Sequence, residues 1–226
     1  MSWDDECYLL SKRKFRENAN IINVFTSRKG RVSGIVYGGT SRKIRNYLQI
    51  SNKLFVTNVS KNANHIGYFK TELIEPISPN YFNDKKRISS LTSICSLLNI
   101  LLPESQPNLS IYESFEKFLN SIRLEDWILS YIFFEIKLLK ELGFDVDLSS
   151  FEDNESTLTS IKKIKIDGYI YDVPIFLIQQ KIPENITNSL IKKSLIFTKN
   201  IFLNKFFIPN NLVFPKTRIV LENYYN

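Results

Sequence analysis

Six cations, Arg28, Lys29, Arg31, Arg42, Lys43 and Arg45, fall within residues 25–49, "FTSRKGRVSGIVYGGTSRKIRNYLQ", without one acid among them. Four of the chain's seven glycines lie in the same stretch. The chemistry open to such a set is neutralisation of a polyanion. Guanidinium and ammonium groups hold phosphate oxygens, and glycine lets backbone approach them closely. A solvated turn is the alternative for these cations. Lys12, Arg13, Lys14 and Arg16 form a second basic run; strand parity would place only some of them on one face. Tyr37 and Tyr47 flank the glycine-rich loop. Rings so placed stack unpaired bases, at roughly 1–3 kcal/mol per base, or else pack half-buried against a barrel.

The excess charge is confined. Residues 1–75 hold 13 Lys/Arg against 6 Asp/Glu, and residues 76–226 hold 17 against 17, so the formal net charge of +7 belongs to the first third. Concentrated positive charge on a small domain points to nucleic acid or an anionic surface. Catalytic chemistry is hard to assemble. There is one histidine, His65, in a turn, and the two cysteines, Cys7 and Cys95, have neither metal nor disulfide spacing. No glycine-rich phosphate cradle ending in Lys-Ser/Thr occurs. The carboxylates of "LEDW" and "GFDVD" suit helix capping or solvation. These features predict no enzyme, no cofactor and no metal, with inert thiols in a reducing cytoplasm. No apolar run reaches the roughly 18 residues that a membrane helix needs, and the acidic "MSWDDECYLL" lacks a signal-peptide pattern.

The elements that must carry the cations follow from periodicity. "YLLSKRKF", "IINVFTS", "RVSGIVYGG", "KLFVTNVS" and "IGYFKTELIE" read as five strands, with a hairpin turn at Gly30. Tyr68 and Phe69 would face opposite sides of the last strand. Five strands in such a length suit an OB-fold barrel, with an SH3-like barrel as competitor. "EPISPN" marks a boundary, after which the period becomes helical. Helices are predicted over "KKRISSLTSICSLLNILL", over "SIYESFEKFLNSI" with Ser110 and Glu113 in capping-box spacing, and over "LEDWILSYIFFEIKLLKELG". The last has acids in its first turn, Lys140 near its end and Gly143 as C′ residue. Its Trp127, Tyr131, Phe133 and Phe134 are predicted as bundle core. "IKKIKIDGYIYDV" reads as a hairpin about Asp167-Gly168. "PENITNSLIKKSLIFTKNIFLNKFFIP" reads as helix in two pieces, and "RIVLENYY" as a short last helix. The expected architecture is α+β: an N-terminal OB-fold β-barrel over residues 1–78, then an α-helical bundle over 79–226 with a small hairpin insertion.

"LSKRKFREN", "TSRKGRVSGIVYGGTSRK" and "LQIS" resemble the opening of RecO, the bacterial recombination mediator family, most closely its alphaproteobacterial members. "LTSICSLLNILLPES", "YESFEKFL", "WILSYIFFEIKLLKELGFDVDLS" and "FLNKFFIPNNLVFPKTRIVL" follow the family in order. The sequence departs from the family at "REN-AN", where Glu-x-Asp is usual, and at Ile50, where Pro is usual. The resemblance implies an OB-fold followed by a helical domain, and binding of single- and double-stranded DNA. It also implies annealing of complementary strands, and partnership with RecR and single-stranded DNA-binding protein (through its C-terminal tail) in loading RecA. A cytoplasmic, nucleoid-associated location would follow. Many members carry a four-cysteine zinc module after the "LGFxLDLS" segment. Here residues 149–173 hold no cysteine and are read as a metal-free remnant of it. A basic OB-fold that binds RNA or the ribosome, or a structural protein working through its helices, are the alternatives.

Overall fold

The computed structural model describes residues 2–60, 66–144, 148–151 and 157–226; His65 and residues 152–156 of the suspected zinc-module remnant lie outside them. Two compact units result, Met1–Tyr112 and Glu113–Asn226.

In the first unit, β1 (Ser2–Phe15), β2 (Ala19–Thr26), β3 (Gly30–Tyr37), β4 (Lys53–Val59) and β5 (Tyr68–Glu75) close a barrel in the order β1-β2-β3-β5-β4. A six-residue helix, α1 (Arg42–Tyr47), links β3 to β4. That order is the OB arrangement, and it sets the SH3-like alternative aside. β1 begins well before the predicted "YLLSKRKF". Its first half pairs with β4 and its second with β2, with the register shifting between Leu9 and Ser11. A bulge bends the strand at this point, which lets one strand serve two neighbours. Alternate residues fill the interior: Cys7, Leu9, Ile22, Val24, Val32, Val36, Leu54, Val56 and Phe69, with Leu48 from the end of α1. Phe69 is core and Tyr68 is exposed, as parity requires. Gly34 makes room for Phe69, since a Cβ there would lie 2.4 Å from its ring.

The strands give way to helices near residue 78, but the first unit continues. In α2 (Lys85–Leu101), Asp84 caps the first turn by accepting from Lys86 N and Arg87 N, both at 3.0 Å. α2 packs on the outward side of β1. Asn99 Oδ1 accepts from Asn23 Nδ2 at 2.8 Å, and Asn23 in turn accepts from Ser33 Oγ at 2.7 Å. The chain leaving α2 crosses β3, where Ser105 N donates to Arg31 O at 2.8 Å. Gly30 (φ +68) turns the β2–β3 hairpin beneath it; a Cβ there would meet Gln106 O at 2.0 Å. Tyr112 closes the layer against Tyr8 and Phe25. β2 is accordingly buried on both faces.

α3 (Leu109–Ser121) corrects one expectation. Asn108 Oδ1 accepts from Ile111 N at 2.9 Å. The helix therefore starts before Ser110, and the Ser110/Glu113 capping box is not its cap. α4 (Trp127–Glu141) corrects another. It begins at Trp127, with Asp126 at the N-cap making no side-chain cap bond and no acid in the first turn. Its end is as predicted. Gly143 N donates to Lys140 O and Phe144 N to Leu139 O, both at 3.0 Å, which is a Schellman closure. Trp127, Tyr131 and Phe134 are buried, while Phe133 is only partly so.

The rest of the second unit comprises the hairpin β6 (Ile161–Ile166) and β7 (Tyr169–Pro174), α5 (Ile175–Ile178), α6 (Asn188–Phe202) with a π-helical turn Leu203–Phe207, and α7 (Lys216–Asn223). Asp167 and Gly168 both take positive φ in the hairpin turn, as foreseen. α4 and α6 enclose a charged centre. Glu135, fully buried, accepts from Arg218 Nε at 2.6 Å and Nη2 at 3.0 Å, from Thr198 Oγ1 at 2.5 Å and from Tyr131 OH at 2.8 Å. Burial alone would lower the Arg218 pKa. The charge of Glu135, then Tyr131, the hydrogen bond to Glu135 and the charge of Glu222 together outweigh this and hold it above the usual value.

Candidate nucleic-acid interface

The predicted cations divide between two ends of the β2–β3 hairpin. Arg28 and Lys29 are exposed in the turn between the strands, while Arg42, Lys43 and Arg45 are exposed on α1, beyond the other end of β3. β2 alone separates these ends by roughly 23 Å at about 3.3 Å per residue.

The turn end is not a free basic patch. Arg28 Nη2 donates to Asp5 Oδ1 at 3.1 Å and to Asp4 O at 2.7 Å. The hydrogen bond to Asp5 and its charge raise the Arg28 pKa. Nearby, Lys53 pairs with Glu6 at 2.9 Å. Arg31 is employed structurally, with its Nε donating to Leu102 O at 2.8 Å.

The α1 end differs. Ser41 caps the helix, its hydroxyl accepting from Ile44 N. Ile44, Tyr47 and Ile50 pack against the barrel core, which turns Arg42, Lys43 and Arg45 outward. The second basic run reaches the same place. Lys12 lies opposite Ile22 and Lys14 opposite Asn20. Asn20 points to this end, since its Nδ2 donates to Gly39 O at 2.8 Å. Lys12 Nζ donates to Leu48 O at the end of α1. Burial, then the nearby Arg45, lowers the Lys12 pKa. Arg13 takes the opposite parity and faces away from this set. Arg16 stands in the β1–β2 turn, which is tied to the same loop by Gly38 N donating to Asn18 O at 2.6 Å. Lys12, Lys14, Arg16, Arg42, Lys43 and Arg45 thus gather at one end of the barrel. Between Lys12 and Lys70 the only acid in the sequence is Glu17.

The tyrosines sort differently from expectation. Tyr47 is half-buried and tied, its hydroxyl donating to Thr71 O at 2.8 Å. Tyr37 is 58% exposed. Its ring neighbour is Tyr68, which sequence reasoning paired with Phe69 and not with Tyr37. The signal that finds it is the register of the closing strand pair, which the sequence does not display.

Charge follows the units: Met1–Tyr112 holds 16 Lys/Arg against 8 Asp/Glu, and Glu113–Asn226 holds 14 against 15. Both cysteines are buried. Burial, with Asp5 and Glu6 adding to it at Cys7, pushes both thiols well above their usual pKa. Among the described residues no group of three or more His, Cys, Asp or Glu is placed to hold a metal, and no helix is long and apolar enough to cross a membrane. The second unit contains an apolar cleft of about 300 Å³. Phe133, Leu139, Phe144, Leu177, Phe197 and Ile201 line it, with Lys137, Lys140 and Gln180 as its polar wall.

Residues 1–77 match the family model Recombination protein O N terminal, and residues 83–163 match Recombination protein O C terminal. Among curated proteins, the DNA repair protein RecO of Cereibacter sphaeroides is 34% identical over 149 residues, 66% of this chain and 62% of that protein. The DNA repair protein RecO of Roseobacter denitrificans is 35% identical over 151 residues, 66% of this chain and 63% of its own length. That of Ehrlichia chaffeensis is 34% identical over 151 residues, covering 66% and 61%. The matched part of the chain thus spans a little over three-fifths of these relatives.

Proposed function

From the chain's membership of the RecO family, whose two domain models together match most of it, we propose that it acts in DNA repair and recombination as a mediator that binds single- and double-stranded DNA and anneals complementary strands. The observation that carries this reading is the gathering of Lys12, Lys14, Arg16, Arg42, Lys43 and Arg45 at one end of the barrel. Annealing needs no catalytic group. Two complementary strands repel, and a basic surface that holds each by its phosphates lowers the repulsion while leaving base edges free to pair. No ATP or metal enters such a step.

Affinity for duplex should fall by roughly three decades between 50 and 200 mM salt if about six phosphates are neutralised. The same preparation should speed annealing of complementary strands at low salt. Affinity that barely responds to salt would sink the electrostatic account. Preference for structured RNA over DNA would favour the RNA-binding alternative.

RecR and single-stranded DNA-binding protein are the partners that this reading entails, with loading of RecA as the outcome, in the cytoplasm and at the nucleoid. The cleft of the second unit suits the acidic C-terminal tail of the binding protein, because it offers an apolar floor beside Lys140 and Lys137, the latter exchanging its pairing with Glu141 at 2.8 Å for the peptide. Lys137→Glu with Lys140→Glu should weaken that peptide by about tenfold or more through like-charge repulsion. Unchanged affinity in a fluorescence titration would move the contact elsewhere.

A further inference from the structure

The outward face of β3 and β5 carries two large rings in solvent. Tyr37 is 58% exposed and Tyr68 38%, with ring centroids 6.2 Å apart and planes at 62°. The barrel's closing contact sets them side by side. Ile35 lies opposite Tyr68, and Ile35 N donates to Gly67 O at 3.0 Å. Among the described residues neither phenol has a hydrogen-bond partner, in contrast to Tyr47. The other large apolar side chains at outward positions of β3 and β4, Ile35, Phe55 and Val59, are each partly covered, so Tyr37 and Tyr68 are the rings left to solvent here.

Their position bears on what they meet. Tyr37 directly precedes the turn that leads into α1, and that turn is bonded to Asn18 and Asn20 beside Arg16. Lys70 lies two residues beyond Tyr68, on the same outward face. Cations therefore stand on both sides of the rings. A strand held by its phosphates across this end has its bases within reach of two exposed aromatic faces.

We propose that Tyr37 and Tyr68 form a stacking platform for unpaired bases, which gives the basic end its preference for single strands. The proposal rests on the phosphate-binding reading above. A base inside a duplex is covered on both faces by its neighbours and cannot use the platform. An unpaired base can, and stacking engages its face while leaving its pairing edge outward. Annealing needs that presentation.

The test compares three probes: oligothymidylate, an abasic strand of the same length, and a duplex. Wild type should bind oligothymidylate about tenfold or more tighter than the abasic strand, since one stacked base contributes that much. Tyr37→Leu with Tyr68→Leu should reduce this ratio to about one and leave duplex affinity unchanged. Phe at both positions should keep the preference. Tyr37→Leu alone, at the more exposed position, should lose part of it, which tests the idea even if the double variant folds poorly. Equal binding of oligothymidylate and abasic strand by wild type, or an undiminished preference in the folded Leu variants, overturns the platform while the phosphate surface stands. Binding of none of the probes by wild type overturns both.

Discussion

Glu135→Ala should destabilise the second unit by about 3–5 kcal/mol, the cost expected when one partner of a buried ion pair is removed. Arg218 has no exposed surface, and its Nε and Nη2 both reach Glu135. Without the carboxylate it is a buried charge with only Leu195 O and Thr198 left as hydrogen-bond partners, at 2.8 and 3.1 Å. Glu222 Oε2 stands 3.6 Å from Nη1, beyond hydrogen-bond reach, while its Oε1 holds Lys199 at 2.6 Å. A domain has only about 5–15 kcal/mol to lose, so the variant should unfold early in urea or fail to accumulate. The chain has two tryptophans, Trp3 and Trp127. A Trp3→Phe background leaves Trp127 fluorescence as the reporter of the second unit. Glu135→Leu with Arg218→Met should recover much of the loss, because apolar replacement of both partners is often near neutral. A Glu135→Ala variant that unfolds at the wild-type urea concentration would mean that the pair is not buried as described.

Replacing Lys14, Arg16, Arg42, Lys43 and Arg45 with Ala should weaken duplex binding by about three decades near 0.1 M salt and flatten the salt slope by about five units. All five side chains are exposed, and such substitutions usually cost little stability. Lys12 is left in place because it also holds Leu48 O. Affinity should fall alike for different sequences, since phosphate contacts carry no sequence information. Arg28→Ala with Lys29→Ala is the contrasting variant. Arg28 already satisfies Asp5 and the carbonyl of Asp4, so the change should be under about fivefold. If the turn variant loses more than the α1 variant, the interface lies at the other end of the hairpin.

Much of the fold was legible because its periods are plain. Five alternating runs, Gly30 in a turn and Gly143 closing a helix all follow from local rules. α1 was not legible: a six-residue helix with no buried residue carries too few apolar positions to show a period. The first half of β1 was hidden by Asp4, Asp5 and Glu6, whose charges interrupt the apolar alternation although Asp5 is buried against the hairpin turn. For the site, the residue types were legible and their grouping was not. Arg28 and Arg42 are close in sequence, yet a hairpin carries them to opposite ends. Lys12 and Arg45 are far apart in sequence, and the fold brings them close enough for Arg45 to help lower the Lys12 pKa. The Glu135–Arg218 pair spans 83 positions. One sign of it was available, since Arg218 shares a helical stripe with Leu221 and Tyr225 and so had to be buried with a partner.

α2 and the chain that follows it pack on the outward side of β1 and β2 and cross β3 near Arg31, leaving β2 with no open face. On the proposed reading, a strand held at the α1 end cannot continue along β2 and passes over the barrel's end to the rings of Tyr37 and Tyr68. It meets few nucleotides per protein molecule. A contact that short is released quickly, because residence time falls with each interaction forgone, while a strong local field keeps recapture fast. Rapid exchange of this kind is what the proposed annealing would require, since paired strands would have to leave the surface as soon as they had found each other.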